Sequence, residues 1–465
     1  MAEVERRQRP HDPLLKRQPR KDPAPGKKKS SRAVEMQEAQ RTGLRGWLKV
    51  LGPGLITGAS DDDPSGIGTY SQVGSQFGYG MLWTAIFTYP LMAAVQELCA
   101  RIALQTGVGL GLALRRRFPT WLVGAFIAGL IVANTINIGA DLAAVAAGFE
   151  LLTRGALKEI WLVIPAGLAI LAIQVFGSYH LIFKTFKWLT LALFAYVFAA
   201  VLAHPNAART LVATVVPTLQ PSAAYATGLV AILGTTISPY LFFWQASSEV
   251  EDMRAAGKVT ESDRRGVGLL EMRAARLDVL VGMLYSQVVM YCIILTGAAV
   301  LNAHGKTDIQ TAAQAAATLE PFAGPFASVL FAVGLIGTGA LAIPILSGSA
   351  AYAVKEFFGL PGNLESKPKQ GPSFYLVLTV ATLVGMGINF LHIDPIKALF
   401  WSAVVNGLVA PPLLILITLL GSDRKTMKDR VSGRLSQVLT WAAAAAMTVA
   451  AMVMIAGNWI LPRLG

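Results

Sequence analysis

The sequence predicts an all-α polytopic membrane protein with about eleven transmembrane helices, for three reasons. Of its 465 residues, 54% are hydrophobic and only 14% are charged, whereas about a quarter of the residues in an average soluble protein are charged. The apolar residues fall in runs that extend to about 20 residues, the length of a helix that crosses a bilayer. Two of these runs are interrupted at mid-span, the pattern of an inverted repeat.

Polar gaps divide the chain after residue 46 into eleven predicted spans. Residues 1–46 form a basic tail that we expect to be disordered, cytoplasmic and loosely associated with anionic lipid headgroups. Residues 47–465 form one transmembrane domain, because no internal connection is long enough for a soluble domain. The predicted spans are 47–74, 80–104, 121–152, 160–178, 182–203, 223–249, 278–302, 323–356, 373–391, 396–421 and 437–461.

The formal net charge is +13, which raises the question of nucleic-acid binding. Fourteen of the 40 Lys and Arg residues lie in the tail or at the start of the first span. Beyond the tail, nineteen lie in connections predicted to be cytoplasmic and six in those predicted to be external. This is the positive-inside bias of a membrane protein. It predicts a plasma (inner) membrane protein with a cytoplasmic N-terminus and an external C-terminus, and no nucleic-acid partner.

The first and sixth predicted spans are interrupted in similar ways. The first contains Asp61, Asp62 and Asp63 followed by Pro64, and the sixth contains Pro239 among small polar residues. Proline removes a backbone donor and disfavours a continuous helix. A simple packing kink is the alternative, and we expect one at Pro344 and at the pair 411–412. Three adjacent acids inside a membrane are too costly to be explained by a kink.

Interruptions five spans apart predict an inverted five-plus-five repeat, with substrate held where the two broken helices face each other. Repeat one covers about 47–203 and repeat two about 223–421. An extra helix at about 437–461 lies outside the repeat.

Several motifs resemble the NRAMP family of divalent metal transporters. They are Gly52-Pro53-Gly54, Asp63-Pro64-Ser65-Gly66, Gln76-Phe77-Gly78-Tyr79 and Ala140-Asp141-Leu142-Ala143. The resemblance covers essentially the whole membrane region. It implies a LeuT-type fold of eleven or twelve helices and alternating access. It also implies a metal ion held between helices 1 and 6 as cargo, with no cofactor and no enzymatic activity.

The resemblance assigns the metal-binding aspartate of the first helix to Asp63. The family's asparagine three residues later corresponds to Gly66. The sixth-helix Met-Pro-His motif is replaced by Ser238-Pro239-Tyr240, and the backbone-carbonyl ligand falls on Thr235. These departures resemble the NRAMP-related magnesium transporter branch.

In the third helix, the family's Asp-x-Ala-Glu motif keeps Asp141 but has Ala144 in place of the glutamate. The tenth-helix glutamine corresponds to Asn406. The predicted metal site is therefore Asp63, Gly66, Thr235, Ser238 and Asn406, surrounded by Asp61, Asp62, Thr236, Tyr240 and Asp141.

The substitutions change the chemistry of the predicted site. Methionine sulfur is a soft ligand suited to transition metals, whereas Ser238 offers only a hard oxygen. Gly66 removes a side-chain ligand and leaves space for an ion that keeps its waters, as Mg²⁺ usually does. An alternative is that Gly66 only permits unwinding and Ser238 only caps the following half-helix. Asp61 and Asp62 have three open roles: they hold waters, attract cations into a vestibule, or cap backbone amides.

The sequence therefore predicts uptake of hydrated Mg²⁺, and also Mn²⁺, without obligatory proton coupling. The alternative is a proton-coupled Mn²⁺ or Fe²⁺ symporter of the ordinary NRAMP type. An alternative of another class is a Mg²⁺-dependent membrane enzyme resembling a prenyltransferase, but this needs a second acidic cluster inside a span, and the sequence has none. The sequence leaves the oligomeric state open and is compatible with a monomer.

Overall fold

A computed structural model describes residues 51–177, 193–364, 366–391 and 393–460, with only the backbone of residues 459 and 460. Within these residues all regular secondary structure is helical, as predicted. The predicted tail at 1–46 lies outside the described residues. The helices of eight or more residues are α1 (Pro53–Asp61), α2 (Pro64–Phe77), α3 (Trp83–Thr106), α4 (Leu110–Arg117), α5 (Thr120–Leu152), α6 (Glu159–Phe176), α7 (Phe194–Leu202), α8 (Ala207–Val215), α9 (Ala223–Thr236), α10 (Pro239–Ala255), α11 (Leu269–Thr296), α12 (Ala327–Phe358), α13 (Pro372–Ile388), α14 (Pro395–Ser422) and α15 (Arg434–Ile455).

Helices lie in all eleven predicted spans, and residues 47–50, 178, 182–192 and 461 of those spans lie outside the described residues. Within the described residues, eight helices are long and apolar enough to cross a membrane, or nine when α3 and α4 are counted as one span bent by 76°. In this count α9 and α10 form a single span, Ala223–Ala255. The first predicted span is divided into the two short helices α1 and α2.

Sequence reasoning missed α4 and α8 and placed two boundaries too close to the membrane. Helix α10 continues to Ala255 rather than 249, and α11 begins at Leu269 rather than 278. The added turns contain Glu, Arg, Met and Ala, which favour helix but lower the hydropathy on which the prediction relied. Helices α4 and α8 are each under ten residues, too short to give a membrane-span signal.

Both predicted helix breaks are present, and they have the same local geometry. Pro64 and Pro239 each occupy the first turn of the second half-helix, a position where the missing N–H is not needed. Asp63 and Ser238 precede them in extended conformation, with ψ of 172° and 133°. A residue before proline is driven toward this conformation by steric conflict. The two X-Pro pairs therefore set the position of each break.

The other intramembrane prolines do not end helices. Pro344 lies within α12, and Pro411 and Pro412 lie within α14. Both helices continue through these positions, because neighbouring helices can satisfy a few freed backbone groups in a membrane protein. Proline alone therefore does not produce the breaks at residues 62–63 and 237–238.

Helix α1 packs on α11 through glycines. A Cβ atom on Gly282 would lie 2.1 Å from the carbonyl oxygen of Gly54, and one on Gly58 would lie 2.1 Å from that of Gly282. The Asp278 carboxylate also accepts hydrogen bonds from the backbone N–H groups of Gly52, Gly54 and Leu55 at 2.8, 2.8 and 3.0 Å. A carboxylate at this end satisfies the orphan donors of the helix N-terminus. These contacts hold the first half-helix in place.

Glycines also bring other helix backbones together around the breaks. A Cβ on Gly234 of α9 would lie 2.0 Å from the Ala403 carbonyl of α14, and one on Gly139 of α5 would lie 2.8 Å from the Gly385 carbonyl of α13. Small residues permit such approaches in membrane helix pairs. Helix α9 is thus packed closely on α14, and α5 on α13.

Ion pairs and hydrogen bonds join the connections between helices at each end of the helix bundle. Arg116 in the last turn of α4 donates to Glu261 between α10 and α11 at 2.7 and 3.0 Å, which holds the pKa of Glu261 below its usual value. Arg117 pairs with Asp423 after α14 at 2.8 Å. At the other end, Gln72 of α2 accepts from the Ile309 N–H between α11 and α12 at 2.9 Å. The three basic connections that these ion pairs join therefore share one end.

The packing of α1 on α11 predicts the effect of adding one methyl group. Gly282→Ala should lower stability by about 1–3 kcal/mol, because its Cβ would overlap the Gly54 backbone. Gly387→Ala is the matched control, since no heavy atom lies within 4 Å of a Cβ there. Thermal melting in detergent should show a lower transition for the first variant only. Equal melting temperatures for Gly282→Ala and the wild type would contradict the close packing of α1 on α11.

Candidate functional site

The Asp63 carboxylate lies at the break between α1 and α2 and is almost fully buried, with 1% of its surface exposed. Its Oδ1 atom accepts hydrogen bonds from the Ser65 hydroxyl at 2.5 Å and from the Gly66 N–H at 2.8 Å. Asp63 is therefore the N-cap of α2, a role that short acidic side chains fill well. The cap fixes the carboxylate relative to the second half-helix and leaves Oδ2 facing other elements.

The Oδ2 atom of Asp63 meets side chains from two distant helices. Asn137 of α5 donates to it from Nδ2 at 3.0 Å, and the Tyr240 hydroxyl of α10 lies 3.4 Å away. The same Tyr240 hydroxyl donates to the Ser60 carbonyl at 3.0 Å. The carboxylate thus connects the first broken helix to α5 and to the second broken helix.

The α9 break contributes polar atoms on the opposite side. The Thr235 hydroxyl oxygen would lie 3.4 Å from a Cβ atom on Gly66, so these two predicted positions face each other. The Ser238 hydroxyl donates back to the carbonyls of Gly234 and Thr235 at 2.7 and 2.8 Å. The Thr236 hydroxyl donates to the Ile232 carbonyl at 2.8 Å.

These bonds change the structural role considered for Ser238. The hydroxyl makes no cap to the N–H groups of α10. It instead satisfies carbonyls at the C-terminal end of α9, which would otherwise lack partners at the break. The alternative interpretation, in which Ser238 caps the following half-helix, is therefore wrong, because the hydroxyl bonds to the preceding half-helix.

Asp61 and Asp62 lie beside Asp63 and are fully buried. The Ser286 hydroxyl of α11 bonds to Asp61 Oδ2 and lies 3.3 Å from Asp62 Oδ1. Asp61 Oδ1 and Asp62 Oδ2 make no hydrogen bond within the described residues. The structure therefore directs these carboxylates toward α11, and their bonds are to a hydroxyl rather than to backbone amides.

Two further predicted residues, Asp141 and Asn406, are fully buried near the breaks. Neither side chain has a hydrogen-bond partner among the described residues. Asp141 belongs to the stretch of α5 that packs against Gly339, which also approaches Pro64. Asn406 precedes Gly407, which packs against Val230 of α9. Both residues lie on the helices that enclose the breaks, but no bond links them to Asp63.

The atoms that this site offers to a metal ion are mainly oxygen atoms from separate residues. In the described ranges, no three His, Cys, Asp or Glu side chains converge as a metal-binding group. The Asp63 carboxylate, with Asp61 and Asp62 beside it, and the nearby hydroxyls and backbone carbonyls form a hard-oxygen environment. An ion bound there would have to keep water molecules to complete its coordination.

Sequence reasoning missed Asn137, Ser402 and Ser286. Asn137 contacts the predicted key residue directly, and the Ser402 hydroxyl of α14 lies 2.7 Å from Asn137 Oδ1. One available signal was that Asn137 lies four residues before Asp141, so that both occupy one face of α5. Ser402 and Ser286 had no such signal, because serine is ordinary in membrane helices.

Comparisons with known proteins agree with this architecture. The sequence profile of the family described as "Natural resistance-associated macrophage protein-like" (Nramp) matches residues 54–457. The "Divalent metal cation transporter MntH" of Deinococcus radiodurans is 29% identical over 433 residues, 90% of each chain. The protein of the same name from Bacillus subtilis is 25% identical over 422 residues, 89% of this chain and 93% of the relative.

Solved structures share the fold. A manganese transporter of Eremococcus coleocola, in complex with an aromatic bis-isothiourea compound, aligns with a TM-score of 0.68 at 18% identity, covering 90% of this chain and 89% of that one. Mhp1, a nucleobase-cation-symport-1 family transporter, aligns with a TM-score of 0.54 at 15% identity, covering 89% and 93%. The predicted LeuT-type fold is confirmed, as is the prediction of a transporter rather than an enzyme. The profile spans nearly all of the membrane region, and the chain belongs to the Nramp family.

Proposed function

We propose that this protein carries divalent metal ions across the plasma membrane by alternating access. The transported ion binds at Asp63, between the break of α1 and α2 and the break of α9 and α10. The curated relatives are named divalent metal cation transporters, and they cover about nine-tenths of this chain. Metal ions are cargo in this scheme, and the protein needs no cofactor.

Within that class we propose hydrated Mg²⁺ as the preferred cargo, with Mn²⁺ also accepted. The observation that carries this proposal is that Gly66 faces the Thr235 hydroxyl beside the buried Asp63 carboxylate. Neither facing residue supplies a soft ligand, and Gly66 supplies no side-chain ligand. The position is closely packed, since a Cβ atom there would lie 3.2 Å from both the Asp61 carbonyl oxygen and the Tyr70 ring. Mg²⁺ holds its waters strongly and prefers oxygen. A site with few protein ligands suits an ion that arrives partly hydrated.

We further propose that transport follows the electrochemical gradient inward without obligatory proton coupling. The stretch 234–240 contains no histidine, and Ala144 replaces the acid found in the ordinary family motif. Coupled proton release needs a titratable group whose protonation changes when the metal binds. A proton-coupled Mn²⁺ or Fe²⁺ symporter is the second candidate. The observation that favours it is the buried Asp141 carboxylate, which has no hydrogen-bond partner in the described chain.

We propose a cytoplasmic N-terminus and an external C-terminus. The excess of nineteen basic residues over six supports this orientation. The ion pairs Arg116–Glu261 and Arg117–Asp423 support it too, because they place three connections predicted to be cytoplasmic at one end.

Uptake by proteoliposomes tests cargo and coupling together. With an internal negative potential, Mg²⁺ and Mn²⁺ should enter, while a trapped pH dye should report constant internal pH. Asp63→Ala should abolish uptake because it removes the buried carboxylate. Asp429→Ala, at an exposed residue in the connection after α14, is the control and should transport normally.

Normal Mg²⁺ uptake by a folded Asp63→Ala variant would overturn the site. Internal acidification that requires both Mg²⁺ and intact Asp63 would instead support the proton-coupled candidate. Uptake of Mn²⁺ without Mg²⁺ would reject the proposed cargo and retain the broader class.

Ion preference should depend on residues 66 and 238. Gly66→Asn combined with Ser238→Met should raise the uptake ratio of Mn²⁺ to Mg²⁺ by about tenfold, equivalent to about 1.4 kcal/mol, by adding a soft ligand and a second side-chain ligand. Gly66→Ala with Ser238→Ala is the matched control, since it changes both positions without adding a ligand. An unchanged ion ranking in a folded Asn/Met variant would show that selectivity lies elsewhere.

Thiol labelling tests the orientation, because both native cysteines, Cys99 and Cys292, are buried. An impermeant maleimide added to intact cells should label Gly465→Cys and not Ser30→Cys. Ser262→Cys, in a proposed cytoplasmic connection, should behave like Ser30→Cys. Labelling of both termini from one side would mean that a span has been miscounted.

A further inference from the structure

We propose that Asn137, held by Ser402, is a positioning residue that presents the Oδ2 atom of Asp63 to the transported ion. This inference rests on the proposed function in one respect, namely that the ion binds at Asp63. It assigns a role to α5 and α14 that sequence motifs did not indicate.

The hydrogen bonds of Asp63 account for three of its lone pairs. An ionised carboxylate has about four acceptor sites, two on each oxygen. Ser65 and Gly66 occupy both sites of Oδ1, at 2.5 and 2.8 Å. Asn137 Nδ2 occupies one site of Oδ2 at 3.0 Å. The ion must therefore approach through the remaining site of Oδ2 or displace a donor.

The remaining acceptor site lies beside Tyr240. A tyrosine hydroxyl has one proton, and that of Tyr240 has a better acceptor in the Ser60 carbonyl at 3.0 Å than in Asp63 Oδ2 at 3.4 Å. The fourth lone pair of the carboxylate is thus left without a strong donor. A metal ion, or a water bound to one, can meet Oδ2 between Asn137 and Tyr240.

The orientation of the Asn137 amide follows from its two neighbours. Asp63 only accepts hydrogen bonds, so the amide must turn its NH₂ group toward it. The Oδ1 atom then faces Ser402, whose hydroxyl lies 2.7 Å away and can donate to it. The Ser402 hydroxyl also lies 2.7 Å from the Leu399 carbonyl, so its single proton is shared between two acceptors. Without this donor, the amide loses the partner that stabilises its orientation.

A second asparagine on α5 separates positioning from packing. Asn134 is also fully buried, and its Nδ2 donates to the Leu346 carbonyl of α12 at 2.9 Å. It lies one turn before Asn137 and has no bond to Asp63. Replacing Asn134 by leucine removes one buried hydrogen bond from this helix, and replacing Asn137 removes two, but only the change at 137 alters the ion-facing carboxylate.

The test uses Mn²⁺ as the sole metal, because both candidate functions include it. Calorimetry on the purified full chain gives the Kd, and uptake by proteoliposomes gives KM and kcat. Asn137→Leu should raise Kd and KM by about tenfold with a much smaller change in kcat, since a hydrogen bond to a charged group is lost. Ser402→Ala should raise both constants by about threefold, because the Ser402 hydroxyl affects Asp63 only through its hydrogen bond to Asn137. Asn134→Leu should leave both constants within about twofold of the wild type.

Wild-type constants in a folded Asn137→Leu variant would overturn the proposal. A lower Kd would overturn it too, because it would show that the amide competes with the ion for Oδ2. Equal effects at 134 and 137 would identify a packing effect instead. If Asn137→Leu does not fold, Ser402→Ala decides, and an unchanged Kd there rejects the proposal. A wild-type protein that neither binds nor moves Mn²⁺ would reject the proposed function itself.

Discussion

The structure depends on the burial of the Asp63 carboxylate at the centre of a membrane domain. A carboxylate removed from water must find other hydrogen-bond donors or a cation. Here two donors come from its own half-helix and a third comes from Asn137 of α5. These bonds can form only if the first helix stops at Asp62 and a second begins at Pro64. The hydrogen bonds that the buried Asp63 carboxylate needs are therefore the reason why the helix is broken at this point.

At the second break, an uncharged side chain satisfies the free backbone groups at the helix end. Ser238 takes the position that Asp63 holds in the first, extended and directly before a proline, but its hydroxyl bonds backward to the carbonyls of Gly234 and Thr235. One break thus satisfies an N–H group of the following half-helix, and the other satisfies two carbonyls of the preceding one. Where they face each other, Gly66 and Thr235 pack closely, and a Cβ atom on Gly66 would lie 3.4 Å from the Thr235 hydroxyl oxygen.

Close helix packing makes this arrangement rigid enough to be specific. Gly54, Gly58 and Gly282 let α1 lie against α11, and Asp278 holds the amide end of α1. Gly234 brings α9 against α14, the helix that carries Ser402 and Asn406. The lipid supplies little driving force for these contacts, so dispersion and hydrogen bonding must supply it.

The sequence by itself determined the membrane class, the positions of the spans and the two breaks, because hydropathy and a proline beside acidic or small polar residues are local features of the chain. Asp63, Gly66 and Ser238-Pro239-Tyr240 were identified from motifs for the same reason, as was the resemblance to a metal transporter family. Tertiary structure alone decided that Asn137 and Ser402 reach Asp63, that Ser286 meets the other two acids, and that Ser238 turns back to α9. Asn137 is 74 residues from Asp63 and Ser402 is 265 residues from Asn137. Contacts at such separations depend on how helices cross, and no local pattern in the chain records that.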